Sequence, residues 1–385
     1  MKDIVSVLLY LCTFLFGFFL EGFKGKYRTR YIRIYVLWLF VFLCFSYMNG
    51  ADWRGYELDY NSGGLESQDK DYGYYLLIRT CRFFIKDFWI TFALLKCLYL
   101  WSCIKLLKAV TPRWISSLSV MIPTALLFML INSPFRFMIA MTCINGAFYC
   151  TLKGHYFFAL VFCIISVPFH SAALFTIPFI PFIKYHPFCR INNWFLIAVY
   201  VLLIVVSSNL DNVLFVQLFL DAVFRDSGLR SYNAYFAEDT RSFFTLGILL
   251  QFFIFLVILF TKNKVAKGMP NGELVSNMAI LSCFVWRLVA VMPTASRVVY
   301  PLMLFYSIYF VYLAKRERVV KFIIACYFCL TMTNSLYESF VYLPYTNSIP
   351  YIVFGHKPYA ERSEYNLKAY KARTGETIHL LIDEQ

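Results

Sequence analysis

The sequence predicts an all-α, polytopic membrane protein. Three observations predict the helical membrane fold. Of 385 residues, 60% are hydrophobic and only 15% charged, whereas soluble domains carry about a quarter charged residues. The mean hydropathy of +0.63 agrees. The apolar stretches are continuous and long enough to cross a ~30 Å hydrocarbon layer, which disfavours alternating β-barrel strands. Lys and Arg gather in alternate loops, as the positive-inside rule requires of a multi-pass chain. That composition excludes soluble, fibrous and disordered classes, and a helical membrane bundle remains, because a lipid-exposed backbone must satisfy its own hydrogen bonds.

In chain order, apolar runs fall near 4–20, 31–48, 88–107, 115–131, 137–152, 155–169, 171–183, 193–208, 242–261, 274–292, 298–314 and 319–335, which makes about twelve transmembrane helices. The first run reads as a retained helix. It ends at Leu20 without a small-residue cleavage site and is followed by basic residues. Pro168, Pro178 and Pro181 blur the boundaries of two short runs and allow one re-entrant hairpin there. No internal repeat is evident. The twelve cysteines lie mostly in apolar runs and read as packing, including Cys326 and Cys329, so neither a disulfide framework nor a thiolate metal site is expected.

Placing Lys24–Arg33 in the cytoplasm puts Lys105–Arg113, Lys153, Lys184, Arg190, Lys262–Lys267 and Lys315–Lys321 on the same side, with Glu21, Glu273 and Glu317 as the acids among them. The net charge of +14 is thus a topology signal and gives no reason to expect nucleic-acid binding. The expected organisation is a helical bundle over 1–335 with outer loops 49–87 and 209–241, and an external C-terminal segment over 336–385.

The outer helix ends carry ionisable groups that need an explanation. Asp52, Arg54, Tyr56 and Asp59 follow the second helix, and Arg136 sits at a Ser-Pro-Phe-Arg turn. His170 sits between two apolar runs, Arg287 lies inside one, and Arg297 opens another with Tyr300 behind it. Charges at helix-centre depth cost roughly 2.5–3.5 kcal/mol on insertion scales. Bland readings exist for each. Arg54 pairs locally with Asp52 or Asp59, Arg136 and Arg297 snorkel, Arg287 forms an ion pair, His170 is an interfacial histidine, and the tyrosines are belt aromatics. Their concentration on one face favours a site. Arg forks hold diphosphate oxygens, cations offset the charge of a departing lipid diphosphate, and His serves as a base near neutral pH. No Gly-rich phosphate loop, His-Glu-x-x-His or Gly-x-Ser-x-Gly motif is present.

Taken in order, these segments resemble the EpsG-like branch of Wzy-type polysaccharide polymerases. The resemblance rests on Gly50-Ala-Asp52-Trp-Arg54-Gly-Tyr56, Lys70-Asp71-Tyr-Gly73-Tyr74, Ile131-Asn132 through Arg136 to Ala140, Phe169-His170-Ser-Ala-Ala-Leu174, Ser296-Arg297-Val-Val-Tyr300 and Leu343-Pro344-Tyr345. Phe137 stands where the family pattern has Gln, so any role of that Gln is absent or moved. The resemblance implies a GT-C-type membrane glycosyltransferase of the bacterial inner membrane, acting on its periplasmic face. Such enzymes join oligosaccharide repeats carried on undecaprenyl diphosphate, both donor and acceptor being lipid-linked, without metal or cofactor. A chain-length regulator is an implied partner. The expected roles are His170 as first choice of base and Asp52 as second. Arg136 and Arg297 bind diphosphate with Arg287 or Arg54 assisting, and Tyr56, Asp59 and Tyr300 contact sugar or acceptor.

Two other classes also need cationic groups: a flippase for lipid-linked oligosaccharide, and a membrane O-acyltransferase acting on glycans. A flippase needs polar residues along a through-path, and the inner helix halves carry few. The paired His/Arg near the inner side that an acyltransferase usually has is not found.

Overall fold

The protein was analysed as a computed structural model, which describes residues 2–23, 25–63, 71–207, 245–289, 297–315 and 317–375. Among these residues every regular element is a helix, and the sole β-type pairing is an isolated Ser46–Asn347 bridge. Each of the twelve apolar runs is helical over most of its described length. Among the described residues, eight helices are long and apolar enough to cross a membrane: α1 (Lys2–Leu20), α5 (Phe88–Val110), α6 (Trp114–Met121, continuing as a π-helix through Asn132), α7 (Phe135–Leu152), α12 (Leu246–Gly268), α13 (Gly272–Val289), α14 (Tyr300–Ala314) and α15 (Arg318–Glu338). The others are shorter. α2 (Arg28–Leu39) runs into a π-helical turn over Phe40–Cys44, and α8 covers Tyr156–Ser166. A 3₁₀ stretch over Ser171–Phe179 leads into α9 (Ile180–Tyr185), and α10 (Pro187–Arg190) and α11 (Asn193–Ser207) follow. The proline-bearing run that starts at Ser171 departs from α-geometry, since Pro178 removes a donor from its ladder. The expected outer loop 209–241 lies outside the described residues.

α6, α13 and α14 are the enclosed spans, while α12 and α15 bury little of themselves in the bundle. α1 packs on α6 and α15, α5 on α7, α7 on α8, and α13 on both α12 and α14. At one end of the bundle Glu21 caps α6 from outside the helix. Its carboxylate accepts from Ile115 N at 3.0 Å and Ser116 Oγ at 3.1 Å, filling the orphan donors of a helix N-terminus. The same end holds Lys262, which donates to Phe188 O and Ile191 O at 2.9 and 2.8 Å. Lys96, in the middle of α5, is fully buried. It donates to Ser46 Oγ at 2.8 Å and sits 4.0 Å over the Phe92 ring, so it faces the bundle interior as intramembrane charges do.

The opposite end carries α3 (Trp53–Ser62), α4 (Tyr72–Phe84) and a C-terminal segment built from α16 (Ile349–Phe354), α17 (Tyr359–Ser363) and α18 (Tyr365–Thr374). Arg373 reaches Asp3 at 3.6 Å, which places the start of α1 at this end too.

Candidate functional site

Four short backbone devices bring the sequence motifs together. The first is Asn49, almost fully buried. Its Nδ2 donates to Tyr342 O and Pro344 O at 3.2 and 3.1 Å, and its Oδ1 accepts from Thr346 N at 3.2 Å. One side chain therefore ties the loop before α3 to the Leu343-Pro344-Tyr345 motif, whose prolyl bond is cis. The second is Gly50, at φ +98°, where a Cβ would lie 2.4 Å from Asn132 O. The chain crosses the end of the π-helix so closely that a left-handed glycine is required there, and Asn132 Oδ1 accepts from Ala51 N at 3.1 Å.

The third device is the turn at Ser133, left-handed at φ 57°. Its Oγ donates to Leu130 O at 2.6 Å. This turn ends the π-helix and starts α7, so Arg136 stands in the first turn of α7. The π-helix begins at Ile122-Pro123, where the missing proline N–H breaks the α ladder. The fourth device is Gly73, whose N–H donates to Pro168 O at 2.9 Å and whose Cβ position is 2.9 Å from Pro168 Cβ. It docks the start of α4 on the chain just before His170.

Arg136 is the centre of the resulting cluster. Nη1 donates to Asp71 Oδ2 at 3.1 Å, Nη2 lies 3.7 Å from Asp59 Oδ2, and Nη2 is 3.5 Å from the Tyr75 hydroxyl. The guanidinium also sits 5.0–5.8 Å from the ring centroids of Tyr56, Tyr74 and Tyr75, a cation–π cradle. Two polar atoms in this cradle, Arg136 Nε and the Tyr74 hydroxyl, are buried and have no hydrogen-bond partner. Arg297 Nη1 lies 3.4 Å from His170 Nε2.

The His170 ring is buried against Phe137, and its Nδ1 accepts from Ala172 N at 3.1 Å. An accepting Nδ1 leaves the ring proton of the neutral imidazole on Nε2, so the 3.4 Å approach of Arg297 Nη1, itself a donor, is a close contact and not a hydrogen bond. Burial first, then Arg297 and Arg136, push His170 down to about 3. Asp52 is half-buried on the same end. Burial raises its carboxyl above the usual range, and Arg297 and then Arg136 pull it back in part. Burial likewise raises the Tyr56 hydroxyl.

The structure thus gathers Asp52, Tyr56, Asp59, Arg136, His170 and Arg297 from the expected residues. Asp71, Tyr74 and Tyr75 join them. The first two stand in a motif that sequence reading recognises, but pairing with Arg136 across the chain cannot be read from spacing. Arg54 does not face this cluster. It is almost fully buried on the other side of α3, where Nε and Nη2 donate to Ser363 O at 2.9 and 2.5 Å and Nη1 donates to Gly50 O at 3.2 Å. Arg287 is buried in α13, next to Trp286 of an apolar cavity.

That cavity, about 530 Å³, lies between α6, α11, α12, α13, α14 and α15 and is lined by Phe128, Tyr200, Gln251, Trp286, Tyr300 and Thr331 among others. Tyr300 stacks on Phe128 with centroids 4.3 Å apart. It stands one turn beyond Arg297, so it joins the charged cluster to the apolar space. Among the described residues no three His, Cys, Asp or Glu side chains converge as a metal site requires.

A family model described as the EpsG family matches residues 29–352, a span that holds every member of the cluster. The chain belongs to the EpsG family. No curated protein and no solved structure matches it. EpsG membership makes it a polysaccharide-polymerase-like membrane protein. The EpsG match ends at residue 352, ahead of His356 and Arg362 in the C-terminal segment.

Proposed function

We propose that this EpsG-family protein is a membrane glycosyltransferase that polymerises oligosaccharide repeats carried on a polyprenyl diphosphate, undecaprenyl diphosphate in bacteria. Its working face is the outer, periplasmic side of the inner membrane. The observation that carries the reading is the pair Arg136 and Arg297 flanking Asp52 and His170 at one end of the bundle, with Tyr300 leading from them into an apolar cavity. The other end holds most of the basic loop residues, which supports placing it in the cytoplasm.

In this reading the donor diphosphate lies between Arg297 and Arg136, and its lipid tail enters the cavity behind Tyr300. Asp52 takes the proton of the acceptor hydroxyl, because the raised carboxyl is a stronger base than an ordinary one while the two guanidinium groups keep it ionised. The hydroxyl oxygen forms the new bond to the anomeric carbon. The bond from that carbon to the diphosphate oxygen breaks, and its electron pair leaves with the polyprenyl diphosphate, whose charge the arginines meet. His170, neutral with its proton on Nε2, donates a hydrogen bond to the sugar or the diphosphate. Tyr56 and Asp59 contact the sugar.

Reconstituting the purified protein in liposomes with lipid-linked repeats tests the reading. Lengthening of the glycan is the expected result. Translocation of the glycolipid without lengthening marks a flippase and overturns the assignment. Dependence on an added acyl donor marks an acyltransferase.

A further inference from the structure

We propose that the C-terminal segment from His356 to Ser363, which lies beyond the EpsG match, is a strap that sets the rotation of α3, with Arg362 as its positioning residue. The inference rests on the proposed reaction for its functional consequence, while its structural consequence stands apart from it.

α3 carries two stripes of different use. Asp52, Tyr56 and Asp59, spaced i, i+4 and i+7, face the Arg136 cluster. Trp53, Glu57 and Tyr60 form the same stripe shifted by one residue and are buried. One residue is about 100° of helix rotation, so a modest turn of α3 about its axis withdraws Asp52 and Tyr56 from the arginines. α3 follows a loop and ends at Gly63 with φ +79°, so no transmembrane helix continues it at that end, and its rotation has to be fixed by side contacts.

The strap provides them. Arg362 Nη1 meets Glu57 Oε2 at 2.6 Å, with both side chains 7% exposed. Trp89 Nε1 donates to Glu57 Oε1 at 3.2 Å, so each carboxylate oxygen has a donor. The Arg362 guanidinium lies 5.7–6.0 Å from the centroids of Trp53, Trp89, Tyr47 and Tyr359, and its Nε donates to Lys357 O at 2.7 Å. Next to it Arg54 donates to Ser363 O, and the Tyr359 hydroxyl lies 3.4 Å from Arg54 O. At the front of the strap His356 Nε2 lies 2.7 Å from Asp87 Oδ2 and Nδ1 lies 3.2 Å from the Tyr47 hydroxyl. Asp87 is also the N-cap of α5. The strap therefore holds α3 through the buried Arg362–Glu57 pair and α5 through the partly exposed His356–Asp87 contact, and a buried pair that loses one member leaves an uncompensated charge.

The test uses the full-length protein in liposomes, with the glycolipid fraction extracted from the producing strain as donor. In Arg362→Gln, amides of α3 should exchange at least tenfold faster while those of α5 and α7 hold their rates. The maximal rate should fall at least tenfold, and by more than KM for the donor rises, the pattern of an interaction felt mainly in the transition state. The double variant E57Q/R362Q, which removes the stranded charge and keeps a hydrogen-bonding pair, should recover most of the protection and rate. His356→Gln should move the same two readouts by less, and it replaces R362Q if that variant fails to insert. Unchanged exchange in α3 overturns the strap, and a raised KM with unchanged maximal rate overturns the positioning role. If the wild-type protein lengthens no glycan, the proposed reaction fails, and exchange alone decides the strap.

Discussion

Arg136 and Arg297 meet different partners. Arg136 is matched by carboxylates, Asp71 at 3.1 Å and Asp59 at 3.7 Å, and by three ring faces. Arg297 faces an imidazole that burial and both guanidinium groups keep neutral. Asp52 acts on Arg297 as a nearby charge, whereas Arg136 has two carboxylates within 3.7 Å, so Arg297 has more charge to offer an incoming anion. Replacing it with Gln should lower glycan extension about 10²–10³-fold, the range for loss of one electrostatic stabiliser, measured as polymer formed by reconstituted protein. Arg297→Lys keeps the charge and loses the fork, so it should fall between that variant and wild type. The acid limb of the pH–rate profile belongs to Asp52. The base works deprotonated, and burial raises its pKa. Activity should therefore fail on acidification at a higher pH than an ordinary carboxylate near 3.9 would impose. Asp52→Asn should abolish extension. His170, held near 3, does not titrate across a usable range, so His170→Gln should lower the rate without moving the limb. A limb that shifts in His170→Gln but not in other active variants would return the base to His170.

At the scale of elements, the motifs that sequence reading lines up in order are contact points between loops and helix ends. Asn49 joins the first to the last of them, and Gly50 and Asn132 join the first to the third. Asn49→Ala should leave several buried backbone groups unmet, at about 1–3 kcal/mol each. The prediction is a lower Tm in detergent together with loss of extension, even though Asn49 touches no substrate in the proposed reaction. The helices themselves were legible because about 20 apolar residues leave few alternatives in lipid. The helix type inside α6 was not, since a π-helix and an α-helix share the same apolar composition. Arg54 shows the limit most clearly. Its neighbours Asp52 and Asp59 suggested either a local ion pair or diphosphate contact, whereas its fork holds the carbonyl of Ser363. A partner 309 residues away leaves no trace in local spacing.

For the whole molecule, the sequence predicted a bundle with its ionisable site residues at the outer helix ends, and the structure gathers Asp52, Arg136, His170 and Arg297 at the end opposite Glu21 and Lys262. The polar tail read only as an external C-terminal segment, because mixed charge alone does not reveal a buried partner such as Glu57. The apolar cavity was also invisible in sequence, since cavity-lining and lipid-facing residues are chemically alike. Its two walls α12 and α15 are the spans with the least burial among the described residues, so in the proposed reaction a lipid tail would enter between them. Thr331→Trp should fill part of this space. Excluding about two methylenes at ~0.8 kcal/mol each corresponds to a loss on the order of tenfold in kcat/KM. The loss should appear with a full-length polyprenyl donor and shrink with a donor whose tail is two isoprene units, which fills less of the cavity. Equal losses with both donors would mean that the bulky side chain disturbs the charged cluster itself. No loss with either would place the tail outside the bundle, against lipid.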